Sequence, residues 1–282
     1  MERKQRKGQK VLMFPQVWDE LTEKDWRSVL QLRDRLERER KYVSVEDVRR
    51  ETVRLLLSNR GLAARPNDRQ YLVLVYQLAE GLGWLWEYRD DALQLVYRST
   101  NQLLPRWKYL LGPMSHGADL QWGEYKAAVE LCSAFTESGN EDTLQLLAGL
   151  LYRRRRKDNK LGRERDDFDS DGYKDWSERG RQLPLWARWG IYAWFCFFCE
   201  YLQTGVFIIN HNEVSFGSIF NSHGGSSEKA QKDNLGLDAI SIAMAESGVF
   251  GTLDDVEHAP LLKIMMKLLK DKQQVDAMRS AK

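Results

Sequence analysis

The sequence predicts a mainly α, multi-helix globular fold, with a small β-hairpin near 206–216 and one short strand near 93–98. Three observations predict it. Hydrophobic residues make up 43% of the 282 and ten residues are Trp, enough to fill a sizeable core and too many for a disordered chain. Apolar residues recur at three- and four-residue spacing through most of the chain, which lines them along one helix face. Several of those stripes begin just after a residue pair able to cap a helix.

In order, Thr22 with Asp25 forms a variant capping box ahead of Trp26, Val29, Leu30 and Leu36. Ser44 with Asp47 repeats that opening, and Gly61 closes the helix carrying Val45, Val48, Leu55 and Leu56. Tyr71, Leu74, Val75 and Leu78 make a third stripe. ALQLVY, around 93–98, reads as the short strand. DLQWGEYKAAVELCSAF aligns Trp122, Tyr125, Val129 and Cys132, and EDTLQLLAGLLY aligns Leu144, Leu147, Ala148 and Leu151. Pro184 opens the most apolar helix of the chain. VFIINHNEVSF (206–216) reads as the hairpin, turning at Asn210 to Asn212, and GSIFNSHGGSSEKAQKDN as a loop. Two helices follow, one with Leu237, Ile240 and Met244, the other with Leu261, Ile264, Met265 and Leu268. Lys267, Lys270 and Lys272 suit the C-terminal dipole of the latter.

This pattern divides the chain into a basic N-terminus (1–10), a helical lobe (11–152), a charged linker or loop (153–182) and a second helical lobe with the hairpin (183–282). The linker reading rests on residues 153–166, which hold eight Lys or Arg and three Asp or Glu, with Leu161 the only large apolar residue. Charge across the chain is nearly balanced, 43 basic residues against 41 acidic, so a general nucleic-acid surface is not expected. Three cysteines do not make a disulfide framework, and a reducing cytoplasm is the expected compartment. The longest uncharged run before Glu200 is Trp189 to Cys199, eleven residues against the ~20 that a membrane span needs, so this is read as a core helix.

The clearest chemical pattern is DFDSDGYKDWSE, 167–178, which matches a twelve-residue EF-hand loop at every ligand position. Asp167, Asp169 and Asp171 would give carboxylates to a calcium ion, Tyr173 a carbonyl and Glu178 a bidentate pair, with Gly172 at the sharp turn. Its setting argues for coincidence. Lys174 occupies the position that pairs with a partner loop, no second loop exists, and the entering KLGRERD has no apolar stripe. Cys196 and Cys199 form a CxxC inside an aromatic run, which would raise both thiol pKa values, so buried free cysteines are expected instead of a redox pair. Ser115-His116-Gly117 lacks the spacing of a nucleophile elbow and reads as a loop. Glu200 is expected at the exposed margin of its helix or paired with an arginine. Nothing here specifies an enzyme.

FPQVWDELT, GWLW (83–86), NQLLPRWKYLLGPMSHGADLQWGEY, LLAGLLYRR (146–154), LPLWARWGIYAWFCFFCEYL and AESGVFGT (245–252) together span roughly 12–270. In these stretches the chain resembles a family of uncharacterised phage and prophage proteins of Bacteroides-type gut bacteria, encoded in the tail-gene module. The layout is also similar to phage tail assembly chaperones. The resemblance implies a non-enzymatic tail morphogenesis protein in the cytoplasm of the bacterial host. Its partner would be a tail protein, an apolar, helical, tape-measure-like chain, and no catalytic residues carry over. Such a role calls for an adaptable apolar surface, for which Met244, Met265 and Met266 are the candidates, with ordinary core as the competing reading. A minor structural tail component and a calcium-binding interaction module through 167–178 are the alternatives.

Overall fold

Eleven α-helices and three small antiparallel sheets make up the regular structure of the computed structural model, which describes residues 13–39, 43–62, 68–89, 92–156, 164–220 and 236–280. The basic N-terminus 1–10 lies outside the described residues. The chain forms two compact units, Met1–Val29 with Lys41–Val96, and Leu30–Arg40 with Tyr97–Lys282. This boundary differs from the lobes 11–152 and 183–282 expected from the sequence. The physical reason lies in 153–182, which is no linker where it is described. Arg153 and Arg165 are buried there, and a helix at Tyr173–Arg181 packs its glycine against the preceding one. Residues 157–163 of that stretch lie outside the described residues.

In the first unit, Thr22 and Asp25 cap helix α1 (Glu23–Glu39) reciprocally: the Thr22 N–H donates to the Asp25 carboxylate at 3.1 Å, and the Asp25 N–H to the Thr22 hydroxyl at 3.2 Å. The helix passes into the second unit at Leu30. Ser44 caps α2 (Val45–Asn59), accepting from the Asp47 N–H at 3.1 Å, and Asp68 caps α3 (Arg69–Glu80). The strand expected near 93–98 exists as β2 (Ala92–Leu95), paired with β1 (Trp86–Arg89) in the register Trp86 to Leu95. Trp18, Trp26, Val53, Leu56, Leu57 and Trp86 fill the core of this unit. Two of its indoles are hydrogen-bonded: Trp86 donates to the Thr52 hydroxyl at 2.9 Å and Trp18 to the Val96 carbonyl at 2.6 Å.

Asp25 is fully buried and also accepts from Asn59 and Arg60, both at 2.9 Å. Burial pushes its carboxyl up, but the hydrogen bonds from Asn59 and Thr22 and the Arg60 pair outweigh burial and hold its pKa below the ordinary value. A depressed folded pKa stabilises above the unfolded value, near ~3.9, and that contribution is lost as pH falls through the folded one. Asp25→Asn is therefore expected to lower the melting temperature at pH 7, by about 1–3 kcal/mol of stability, and to flatten its fall between pH 5 and 3. Parallel melts of wild type and variant that keep the same slope would refute the assignment.

The second unit contains all remaining elements. A short hairpin, β3 (Arg106–Trp107) and β4 (Leu110–Leu111), precedes α4 (Trp122–Ser138) and α5 (Glu141–Leu151). Strand β5 (Arg153–Arg154) adds to β4 in the order β3-β4-β5, with Leu111 opposite both Arg106 and Arg153. Arg155 bridges to Arg165 on the far side of β5. Helix α6 (Tyr173–Arg181) follows, then the apolar α7 (Leu185–Thr204). β6 (Phe207–Ile209) and β7 (Asn212–Val214) form the hairpin expected near 206–216. Asn210 and His211 make its two-residue turn, both at positive φ, as a turn matching the strand twist requires. The one-turn α8 (Gly217–Phe220) opens the stretch read as a loop, whose residues 221–235 lie outside the described residues. Helices α9 (Leu237–Glu246), α10 (Leu253–Glu257) and α11 (Leu261–Ser280) end the chain.

Trp122, Tyr125, Leu147, Trp194, Phe195 and Phe198 centre this core, with Trp194 stacked on Phe198 at 5.7 Å. On its margin, Lys126 joins three helices, reaching Asp238 at 2.6 Å and Glu257 at 2.8 Å. Burial lowers the Lys126 pKa, but those two carboxylates outweigh it and hold the ammonium above its ordinary value. No helix among the described residues is long and apolar enough to cross a membrane.

Candidate functional site

The residue at the heart of the second unit is Glu124, in the first turn of α4 and fully buried. A buried carboxylate needs cations and donors, and two arginines from the basic run supply them. Arg153 donates to Glu124 at 2.6 Å, and Arg165 donates to it at 2.7 Å. Arg165 also holds the Asp119 carboxylate at 2.6 Å and the Leu151 carbonyl at 2.7 Å. Burial pulls Arg153 down to about 10, more than Glu124 opposes, so it stays charged at neutral pH. Burial also pulls on Arg165, but Glu124 and Asp119 outweigh it and raise its pKa. Gln121 ties this cluster to the next loop: its carbonyl oxygen accepts from the Phe168 N–H at 2.6 Å.

Directly above the cluster, a cleft of about 480 Å³ opens over one face of the β3-β4-β5 sheet. Arg106 and Leu111 sit on that face, with Arg155 next along β5 and the buried Arg165 at its floor. The wall opposite is Pro113, Met114 and Ser115. This wall is held from several sides. The Met114 N–H donates to Asp119 at 2.7 Å, the His116 N–H to the Thr100 carbonyl at 2.8 Å, and the Gln102 N–H to the Ser115 hydroxyl at 2.9 Å. His116 has φ +59°, a conformation that L side chains seldom adopt and that surrounding structure must enforce. Gly117 follows at φ +62°, where a Cβ would come within 2.5 Å of the Phe198 ring.

The structure disperses the candidate calcium ligands. Asp167 is paired with Arg156 at 2.8 Å and accepts from Gln121 at 3.2 Å. Asp169 accepts from the Asp171 N–H at 3.0 Å, so these two shape a turn. Tyr173 opens α6, which commits its carbonyl to the helix ladder, and Glu178 lies beyond it within that helix. Among the described residues no three acidic, His or Cys groups are placed to hold a metal ion. The run is an acidic helix entrance: Phe168 and Trp176 are buried and stack at 6.0 Å, anchoring the turn between them.

Of the three methionines, Met244 and Met265 are buried in the core and Met266 is half-exposed. Cys132 of α4 meets the CxxC of α7. Its hydrogen bond with Cys196 raises the Cys132 pKa and lowers that of Cys196, while burial raises that of Cys199. The expectation that both CxxC thiols would be raised therefore holds for Cys199 and not for Cys196, because the partner thiol lies about 64 residues away in sequence and could not be seen there. Ser115 and His116 engage different partners, Gln102 and Thr100, rather than each other. Glu200 is exposed.

Sequence reasoning missed the far end of α11. Leu261 and Leu268 lie seven apart, and Val275 follows seven later; Ile264 leads likewise to Asp271 and Met278. Leu261 and Ile264 are buried, whereas Val275 is 46% and Met278 67% exposed. The heptad spacing was the available signal. Neither a family model, nor a curated protein, nor a solved structure matches the chain.

Proposed function

We infer that the chain is a non-enzymatic phage tail morphogenesis protein, an assembly chaperone that holds an amphipathic, tape-measure-like helix in the host cytoplasm. One observation supports this reading above others. The apolar row Leu261, Leu268 and Val275 of α11 runs on past the body that covers its first half, and Val275 and Met278 are left exposed. A stripe at heptad spacing is what a second amphipathic helix packs against. Met278 adds an adaptable side chain of the kind that accommodates varied partners. The resemblance of the FPQVWDELT to AESGVFGT stretches to tail-module proteins supplies the biological setting.

The test is co-expression with the tape-measure protein of a tail operon, followed by co-purification. The wild type is expected to retain that protein, and Val275→Asp with Met278→Asp to lose at least tenfold of the capture while melting unchanged. Equal capture by the double variant, or none by the wild type, ends the α11 reading. Mass spectrometry of purified virions then separates the two tail roles: absence marks a chaperone, and fixed stoichiometry marks a structural component.

A further inference from the structure

We propose that the cleft over the β3-β4-β5 sheet is a docking groove for an extended acidic segment of a partner protein, carrying two carboxylates four residues apart and an aliphatic side chain midway. The proposal goes beyond the α11 reading and does not depend on it. Its first support is charge. Arg106 and Arg155 are exposed on the cleft, and among the described residues neither has an ion-pair partner. Arg165, in the same cleft, is by contrast engaged with Asp119, Glu124 and the Leu151 carbonyl. Among the described residues the cleft therefore presents two unpaired guanidiniums, which are suited to carboxylates.

The register supplies the spacing. Arg106 lies opposite Leu111, Leu111 opposite Arg153, and Arg155 is two residues further on. Two strand separations across and two residues along place the Arg106 and Arg155 backbones roughly 12 Å apart. Four residues of extended chain, at about 3.3 Å each, span that distance. In an extended chain, residues i, i+2 and i+4 face the same way. Acids at i and i+4 then meet the arginines, and residue i+2 meets the aliphatic floor and wall of Leu111, Pro113 and Met114.

Two further features favour a peptide over a nucleic acid. Among the described residues no aromatic side chain lines the cleft, so bases would find nothing there to stack on. Glu164 stands among the lining residues, leaving a net charge of +1 among the free groups Arg106, Arg155 and Glu164. That suits carboxylates held one at a time and is weak for a run of phosphates. The enforced His116 conformation and the hydrogen bonds of the 112–117 wall mean that the groove is ordered before a ligand arrives, which lowers the entropy lost on binding.

The test uses the full chain and a fluorescein-labelled peptide, Gly-Glu-Ser-Leu-Ser-Glu-Gly, followed by fluorescence polarisation. Saturable binding is expected, weakened at least tenfold by Glu-to-Gln replacement of both peptide acids and by Arg106→Glu with Arg155→Glu in the protein. Both protein positions are on the surface, so the melting temperature of the variant should match wild type. Val275→Asp should leave peptide binding unchanged. The proposal is overturned if no saturable binding occurs, or if the arginine variant binds as wild type. Loss of binding in Val275→Asp would place the peptide on α11 and overturn it equally, as would tighter binding of a single-stranded DNA 12-mer that the same arginine variant abolishes.

Discussion

Glu124→Ala is expected to destabilise the second unit by about 3–5 kcal/mol, lowering the melting temperature by on the order of 10 °C. The reason is what remains. Arg153 and Arg165 would stay buried, and of their carboxylates only Asp119 would be left, bound to Arg165. Arg153 would fare worst, because its Nε already lacks a hydrogen-bond partner among the described residues. A buried charge that loses its counter-ion costs far more than the net worth of the pair it made. That asymmetry yields a second, sharper expectation. Replacing Glu124 by Leu together with Arg153 by Met removes one charge of each sign and leaves Arg165 with Asp119. This double variant should be more stable than Glu124→Ala alone, although it has lost more hydrogen bonds. Denaturant titrations of both variants decide the matter. A loss under about 1 kcal/mol for Glu124→Ala would mean that water reaches the cluster and that it is not the keystone described.

The same cluster shows where the sequence was readable and where it was not. The caps at Thr22 and Ser44 were legible because each partner lies three residues away. The turn at Asn210 and His211 was legible because a local run of β-formers flanks a pair that tolerates positive φ. Glu124 and its arginines meet across 29 and 41 residues, and in isolation RRRR and RER look like solvated charge. Their burial is set by the strand pairing of 153–156 with 110–111 and 164–166, a long-range fact with no local signature. The calcium pattern is a related case. It tests which residues are present, not whether their oxygens are free, and Arg156 takes Asp167 from outside the motif. The cleft itself was invisible: Ser115 and His116 drew notice as a possible nucleophile pair, whereas what they build is a wall.

Gly149→Ala is the other substitution with a large expected effect, and its sign separates two kinds of reasoning. Gly149 lies within α5, where helix propensity alone makes alanine better by about 1 kcal/mol. The packing requires the opposite. A Cβ on Gly149 would fall onto the Trp176 carbonyl of α6, and a Cβ on Gly180 of α6 would fall onto the Gln145 carbonyl of α5. Both obstacles are backbone, so no rotamer change relieves them. The two helices must instead separate, which loosens buried Leu147, Leu150 and Trp176 and strains the Arg179 bond to the Gly149 carbonyl at 2.9 Å. A loss of about 3 kcal/mol or more is expected, at or above the upper end for an overpacked core. Gly180→Ala should behave likewise. The double variant should lose less than the sum, because a pair of helices already forced apart by one methyl has room for the second. A double-mutant cycle by denaturant unfolding measures all three values. A neutral or stabilising Gly149→Ala would mean that α5 and α6 do not approach this closely, and the placement of the helix that carries 173–181 would have to be abandoned with it.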